Sequence, residues 1–367
     1  MKSTLLAVGM GFVTLCVLLS GCKRQTSSAP PPPTTASSTQ PTALPPEEPV
    51  VNVYVFSDYL PKDVLDEFTR ETGIKVNHVN FSSNEELAAR LRTGTSDFDL
   101  VGPSDYMVRR LADEGYLRKL DKARLPGMVH LDPGRMAKPF DSTNAYSVPL
   151  FWGTTGIGYN KAKVGDIDSW AALFDPKHSG QIGMLNDGRE ALVAALRKMG
   201  RDPSSLDAAA IDAGLAELRQ QRPLVKIYDS DTFHEKLLAG DVRLQQGFNG
   251  QFAKAIAEKP DELAFVVPKE GGTLWIDTLA IAARARHPAN AHTLMDYLMR
   301  PDVAAKVATF AAYATPNLKA FEKLEPGLRN NPIIYPPADV LSRCQSMEPL
   351  SPALTRRIDA LLTEVKR

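Results

Sequence analysis

Apolar and polar positions alternate along Val51-Asn-Val-Tyr-Val-Phe56, the two-residue period of a strand. Pro61 then stands where a helix can begin; Val64, Leu65 and Phe68 share one helical face, and Gly73 marks the stop. Ile74 to Val79 reads as a second strand. Ser83 and Glu86 form a capping-box pattern ahead of Leu87 and Leu91. Phe98 to Val101 predicts a third strand, after which Ser104 is placed to cap a helix carrying Val108 and Leu111, closed by Gly115. Such alternation of strand and helix predicts an α/β fold with a largely parallel sheet. Further on, Tyr146 to Tyr159 is apolar and glycine-rich, suited to carry the chain between two lobes. Trp170 reads as core, Gln181 to Leu185 as a short strand, and Asp187 opens a helix through Leu192, Leu196 and Met199. Helices are predicted over 205–220 and 231–239, then a strand over Leu244 to Phe248 that ends in Phe248-Asn249-Gly250. After the strand-like stretch that ends at Ile281 come helices over about 289–299 and 301–311, split at Pro301. A turn at Tyr313-Ala-Thr-Pro316-Asn317 follows, and an amphipathic helix runs from about Ser351 to Val365.

The first 49 residues lack this patterning. Lys2 and the apolar run Leu5 to Leu19 read as a targeting segment, too short for a membrane span. Leu19-Ser20-Gly21-Cys22 resembles a bacterial lipoprotein box, which predicts a lipid on Cys22; an ordinary secretory signal cut nearby is the alternative. Eight of the 28 prolines lie between residues 23 and 49, among Ser, Thr and Ala, a composition expected to form a semi-rigid tether rather than a fold. About 318 residues remain from Val50, enough for two lobes. The chain carries 43 basic and 43 acidic side chains, and removal of Lys2 leaves 42 basic, so no cationic excess points to nucleic acid. With Cys16 in the targeting segment and Cys22 lipidated, Cys344 is alone and no intrachain disulfide is expected.

The candidate chemistry lies in turns. Phe56-Ser57-Asp58-Tyr59 and Pro103-Ser104-Asp105-Tyr106 each follow a strand, where α/β sheets bind ligands. Ser57, Asp58 and Ser104 could equally cap helices. In Pro268–Ile281, Trp275 and Asp277 are two apart on a strand and so share a face. An aromatic face beside a carboxylate suits an organic ammonium ion; a core indole with a charge at a strand end is the plainer reading. Asp187 and Glu190 are either a helix-capping pair or two carboxylates held at a helix start. The six histidines show no metal-ligand spacing. No dinucleotide fingerprint, P-loop or nucleophile elbow occurs, and no carboxylate spacing singles out a glycosidase pair.

Taken in order, the blocks FSDYLP, ETGIKV, FDLVGPSDY, PLFWGTTGIGYN, NDGRE, PKEGGTLWID, LMRPDVAAKVA and ATPNL resemble the spermidine/putrescine-binding proteins of bacterial ABC importers, over nearly all of residues 51–367. The later NNPIIYPPADV is closer to the putrescine-preferring branch. The resemblance implies a two-lobed, venus-flytrap binding protein, each lobe a mixed, mostly parallel sheet flanked by helices. Lobe 1 would take residues 50–154 and 276–320, lobe 2 residues 155–275 and 321–367, after a signal over 1–21 and a tether over 22–49. It also implies a ligand site made of Phe56, Ser57, Asp58, Tyr59, Ser104, Tyr106, Asp187, Glu190, Phe248, Trp275, Asp277, Tyr313 and Gln345. Phe56 and Phe248 stand where the family commonly has Trp, which weakens the cation–π term. Asp58 would hold one end of the polyamine, Asp187 and Glu190 the other, and Asp277 the middle. The expected protein is a monomeric receptor without cofactor or catalysis, anchored in the cell envelope and serving an ABC permease. Spermidine is favoured over putrescine because Asp187 and Glu190 mark the longer-amine branch. Another organic cation on the same scaffold, a polyamine sensor for a membrane partner, and a carboxylate-dependent glycan hydrolase are the alternatives.

Overall fold

In the computed structural model, which describes residues 47–94, 97–204 and 206–366, the first alternating stretch becomes β1 (Val50–Phe56). The expected targeting segment, Cys22 and the tether up to residue 46 lie outside the described residues. In α1 (Lys62–Thr72), Val64, Leu65 and Phe68 are buried; Gly73 closes the helix in the left-handed region, its N–H on the Thr69 carbonyl. After β2 (Lys75–Phe81), the Ser83 hydroxyl caps α2 (Asn84–Thr93) by accepting from the Glu86 N–H. The Glu86 carboxylate reaches back one residue further than a capping box requires, accepting from the Ser82 N–H and hydroxyl. β3 (Leu100–Val101) is shorter than its pattern suggested, and α3 (Asp105–Asp113) follows it. Ser104 precedes α3, but its hydroxyl makes no cap and is turned towards Asp277 instead.

A two-residue β4 (Leu117–Arg118) leads to β5 (Ser147–Asn160), in which all 14 residues are buried. Next come α4 (Lys161–Val164), β6 (Ile182–Met184), α5 (Gly188–Lys198), α6 (Ala208–Gln221), β7 (Val225–Tyr228), α7 (Phe233–Ala239) and β8 (Leu244–Phe248). The chain continues through α8 (Asn249–Glu258), β9 (Leu263–Val266), β10 (Leu274–Ala282), α9 (Pro288–Leu298) and α10 (Pro301–Ala311). It ends through α11 (Leu318–Lys323), α12 (Pro326–Arg329), α13 (Ala338–Leu341) and α14 (Pro352–Lys366). The sequence pattern missed β7 and β9, which are four residues long, and α8, whose opening Asn249-Gly250 reads as a turn.

The sheets are mixed. β1 runs parallel to β2 and β3, and β6 parallel to β7 and β8. Between these two parallel sets stand antiparallel strands. β10 pairs with β3 on one side and β5 on the other. β5 changes partners at Thr154/Thr155: its first part lies against β10, its second between β8 and β9. One core is built on β1, α1, α9 and α10 around Phe68, Leu279 and Leu298. A second collects Trp170, Leu192, Leu196, Leu215 and Leu244. Phe321, Leu324, Leu328 and Tyr335 pack on the first core, and Leu350, Leu354, Ile358 and Val365 on the second.

Candidate functional site

Each parallel strand delivers its following turn to the same cavity. Phe56–Tyr59 follow β1, Ser82–Asn84 follow β2, and Ser104–Tyr106 follow β3. From the other sheet, Asp187 follows β6, Ser230 and Asp231 follow β7, and Phe248 ends β8. This is the arrangement expected at the carboxyl ends of parallel strands. Trp275 and Asp277, from the start of β10, and Tyr313, just after α10, complete the wall. Of the thirteen residues singled out from the sequence, all but Gln345 line this cavity. Gln345 is a correction: its backbone pairs with Gly272 and Leu274, its Oε1 accepts from Arg197, and Met347 lines the cavity from this segment instead.

Asp277 is 4% exposed. One carboxylate oxygen accepts from the Tyr59 hydroxyl and the other from the Ser104 hydroxyl at 2.5 Å. The Asn84 amide holds Ser104 in turn, donating to its hydroxyl at 2.9 Å and accepting from its N–H at 3.0 Å. Burial pushes the Asp277 carboxyl up to about 6, against the pull of its two hydrogen bonds. Asp105, which the sequence reading passed over, is also buried; its carboxylate accepts from the Tyr106 N–H at 2.7 Å and the Ile276 N–H at 3.3 Å. Burial, reinforced by the neighbouring Asp277, raises it to about 7. In sequence Asp105 is indistinguishable from an ordinary first-turn acid.

Both readings of Asp187 and Glu190 hold in part. Asp187 caps α5, one oxygen accepting from the N–H groups of Arg189 and Glu190. Glu190 makes no reciprocal cap. Its carboxylate accepts from the hydroxyls of Thr155 at 2.9 Å and Thr273 at 3.0 Å, and burial followed by the charge of Asp187 raises its pKa. Electrostatic neighbours link these groups to one another. Tyr313 feels Asp277 and Asp58; Asp105 feels Asp277 and Arg189; Arg189 feels Asp187 and Glu190. Asp58 itself is exposed at one end, in the left-handed backbone region at φ 58°.

Aromatic rings wall the space between the carboxylates. Trp275 meets Tyr313 edge-on at 5.1 Å and Phe248 at 5.9 Å, and Tyr59 meets Tyr313 at 5.9 Å. Phe81 backs Phe56 at 4.3 Å and Phe233 backs Phe248 at 5.7 Å. Two glycines admit these rings: a methyl on Gly153 would overlap the Trp275 indole and the Asn249 amide, and one on Gly250 would overlap the Tyr313 ring. The Gln251 carbonyl oxygen and the Ser230 hydroxyl are buried at the cavity without a hydrogen-bond partner. Both can accept a hydrogen bond, and Ser230 can also donate one; no local motif marks either residue.

A cleft that gathers carboxylates and aromatic rings from the strand ends of two sheets, with one strand shared between them, defines a two-lobed solute-binding protein. The chain belongs to the bacterial extracellular solute-binding protein family, which matches residues 63–335. It is 40% identical over 294 residues to the spermidine/putrescine-binding periplasmic protein of Salmonella typhimurium, covering 79% of this chain and 84% of that one. It is 32% identical over 340 residues to the putrescine-binding periplasmic protein PotF of Escherichia coli, covering 87% and 92%. Among solved structures, a putative spermidine/putrescine ABC transporter protein from Listeria monocytogenes superposes with a TM-score of 0.84 at 32% identity, over 87% of this chain and 99% of that one.

Proposed function

We propose that this protein is an extracytoplasmic polyamine receptor that captures its ligand in the cleft and delivers it to an ABC permease. The observation that carries the reading is the gathering of carboxylates and rings on one cavity, lined by Asp58, Asp105, Asp187, Glu190 and Asp277 together with Trp275 and Tyr313. A polyamine is a methylene chain with a cation at each nitrogen. Carboxylates suit the ammonium groups, and aromatic faces suit both methylenes and cations. The names borne by the relatives support the same ligand class. Spermidine is the preferred ligand in this reading: Asp187 and Glu190 line the cavity in addition to Asp58 and Asp277, offering carboxylates for a third nitrogen, and the relative named for spermidine/putrescine is the more similar of the two.

Isothermal titration of the purified protein with putrescine, cadaverine, spermidine and spermine tests this. One-to-one binding at micromolar concentration or tighter is expected, spermidine strongest. Heat from none of the four would overturn the reading.

The cleft would close by hinge motion between two lobes. The partner change of β5 at Thr154/Thr155 and the start of β10 at Leu274 support boundaries there. Because 321–335 pack on the first core, we assign the return to lobe 2 to the segment after α13, later than residue 320. Cys22 is the proposed lipid anchor on the strength of Leu19-Ser20-Gly21-Cys22. Cys22→Ser should move the protein from the membrane fraction to the soluble fraction; an unchanged distribution would reject the anchor.

A further inference from the structure

A second cavity of about 340 Å³ lies against the Asp187 end of the cleft. The two cavities share Ser83, Tyr106 and Asp187 as lining residues. What stands at the join is a stacked pair. The Arg189 guanidinium carbon lies 4.8 Å over the centre of the Tyr106 ring. Tyr106 comes from α3, beside the first sheet, and Arg189 from α5, beside the second, so the pair bridges the cleft. Arg189 is only 7% exposed; it is tied behind by Nη2 donating to the Glu348 carbonyl, and its Nε is buried without a partner. On the far side of the pair, Glu85 lines the second cavity and accepts from the Tyr106 hydroxyl at 3.3 Å.

We propose that the Arg189–Tyr106 stack is the end stop of the cleft, and that Arg189 is the residue that sets the longest amine this receptor accepts. The proposal rests on the polyamine reading above. A ligand nitrogen that reaches Asp187 and Glu190 comes up to a fixed, delocalised cation beside them, which lines the second cavity and not the first. A further methylene segment would have to displace a buried guanidinium. A further ammonium would in addition face its charge across a desolvated gap, where like charges repel strongly. Without that side chain the cleft would run on into the second cavity, past Tyr106 towards Glu85. The stop acts by volume as well as by charge, and the two are separable. Unbranched terminal diamines of four to eight carbons all carry two charges, so a series of them varies length alone.

The test is titration calorimetry of the wild-type protein, Arg189→Ala and Arg189→Met with that diamine series, then with spermidine and spermine. Melting curves check that each variant is folded. In the wild type, affinity should peak within the series and fall for longer members, and spermine should bind more weakly than spermidine despite its extra charge. In Arg189→Ala the optimum should move at least one carbon longer, and the eight-carbon diamine should gain about tenfold relative to putrescine, or about 1.4 kcal/mol. Arg189→Met, neutral but of similar length, should keep the wild-type optimum. An optimum unmoved in Arg189→Ala, or moved as far in Arg189→Met, would overturn the stop. If Arg189→Ala does not fold, the wild type decides alone, since spermine binding more tightly than spermidine is incompatible with a closed end. Absence of binding by the wild type to every amine would overturn the polyamine reading itself.

Discussion

Replacing Asp277 by Asn should cost the protein most of its affinity and none of its thermal stability. The Asp277 carboxylate receives two hydroxyl hydrogen bonds, from Tyr59 and Ser104, and no protein cation forms a salt bridge with it among the described residues. An amide of the same shape can keep one of these contacts as acceptor and turn the other hydroxyl to accept. The ionised carboxyl is unfavourable in the free fold: its pKa rises from 3.8 to about 6 through burial, which at ~1.4 kcal/mol per tenfold amounts to roughly 3 kcal/mol at neutral pH. Asn removes that burden, so the free protein should melt at the wild-type temperature or above it. Binding is the opposite case. Truncating one member of a buried, hydrogen-bonded charge pair typically costs ~2–5 kcal/mol, a loss of about thirtyfold to a few thousandfold. Calorimetry with spermidine and thermal melts without ligand are the two measurements. A melting temperature that drops by many degrees would make Asp277 a structural residue instead.

Affinity should also rise steeply with pH across the mildly acidic range. Asp277 is raised to about 6 and Asp105 to about 7, while an aliphatic ammonium, like that of lysine, titrates near 10. Below pH 7 the free cleft therefore holds protons that a cationic ligand must expel, while the ligand stays charged. Each such group weakens binding by about tenfold per pH unit below its own pKa. These two alone give on the order of a hundredfold loss between pH 7.5 and 5.5, and Glu190, also raised by burial, adds to it. Titrations in buffers of different protonation heat should show net proton release near pH 6. A flat profile would mean that neither carboxyl meets the ligand cation. The same shifts act on folding with a definite sign. Both carboxyls bind protons more tightly folded than unfolded, so their contribution makes the ligand-free protein less stable as pH rises from about 4 to about 7, and level above that.

The repeating parts of the fold were legible because periodicity reports burial directly. The faces of α1 and α2 follow from it, while the long crossing stretch at β5 was marked by its apolar, glycine-rich composition. Of the short strands, those at Leu100–Val101 and Ile182–Met184 were read and those at Val225–Tyr228 and Leu263–Val266 were not, since four residues carry too few positions to define a period. In the cleft, Trp275 and Asp277 could be paired from their two-residue spacing, but the partners of Asp277 come from 173 and 218 positions away. Only the order of many weak turn motifs suggested that grouping. Residues with no motif were invisible. Asp105 stood inside the Pro103–Tyr106 turn with nothing to single it out, Gln251 fell inside an unrecognised helix, and Asp231 read as the first residue of a predicted helix. Gln345 failed for the converse reason: resemblance selected its residue type, while the local backbone pairing with Gly272 and Leu274 turned its side chain to Arg197.

The position of β10 between β3 and β5 separates the order of synthesis from the order of assembly. A chain made from its amino end presents β1, β2, β3 and β5 long before residue 274 arrives to join them. Until then β3 and β5 have exposed ladder edges, and β5 is apolar along its whole length. The later lobe can gather its own core in that interval, since its members lie largely within 157–244. The amino-terminal lobe, although made first, can close only near the end, through contacts between distant parts of the chain, the slow kind in folding.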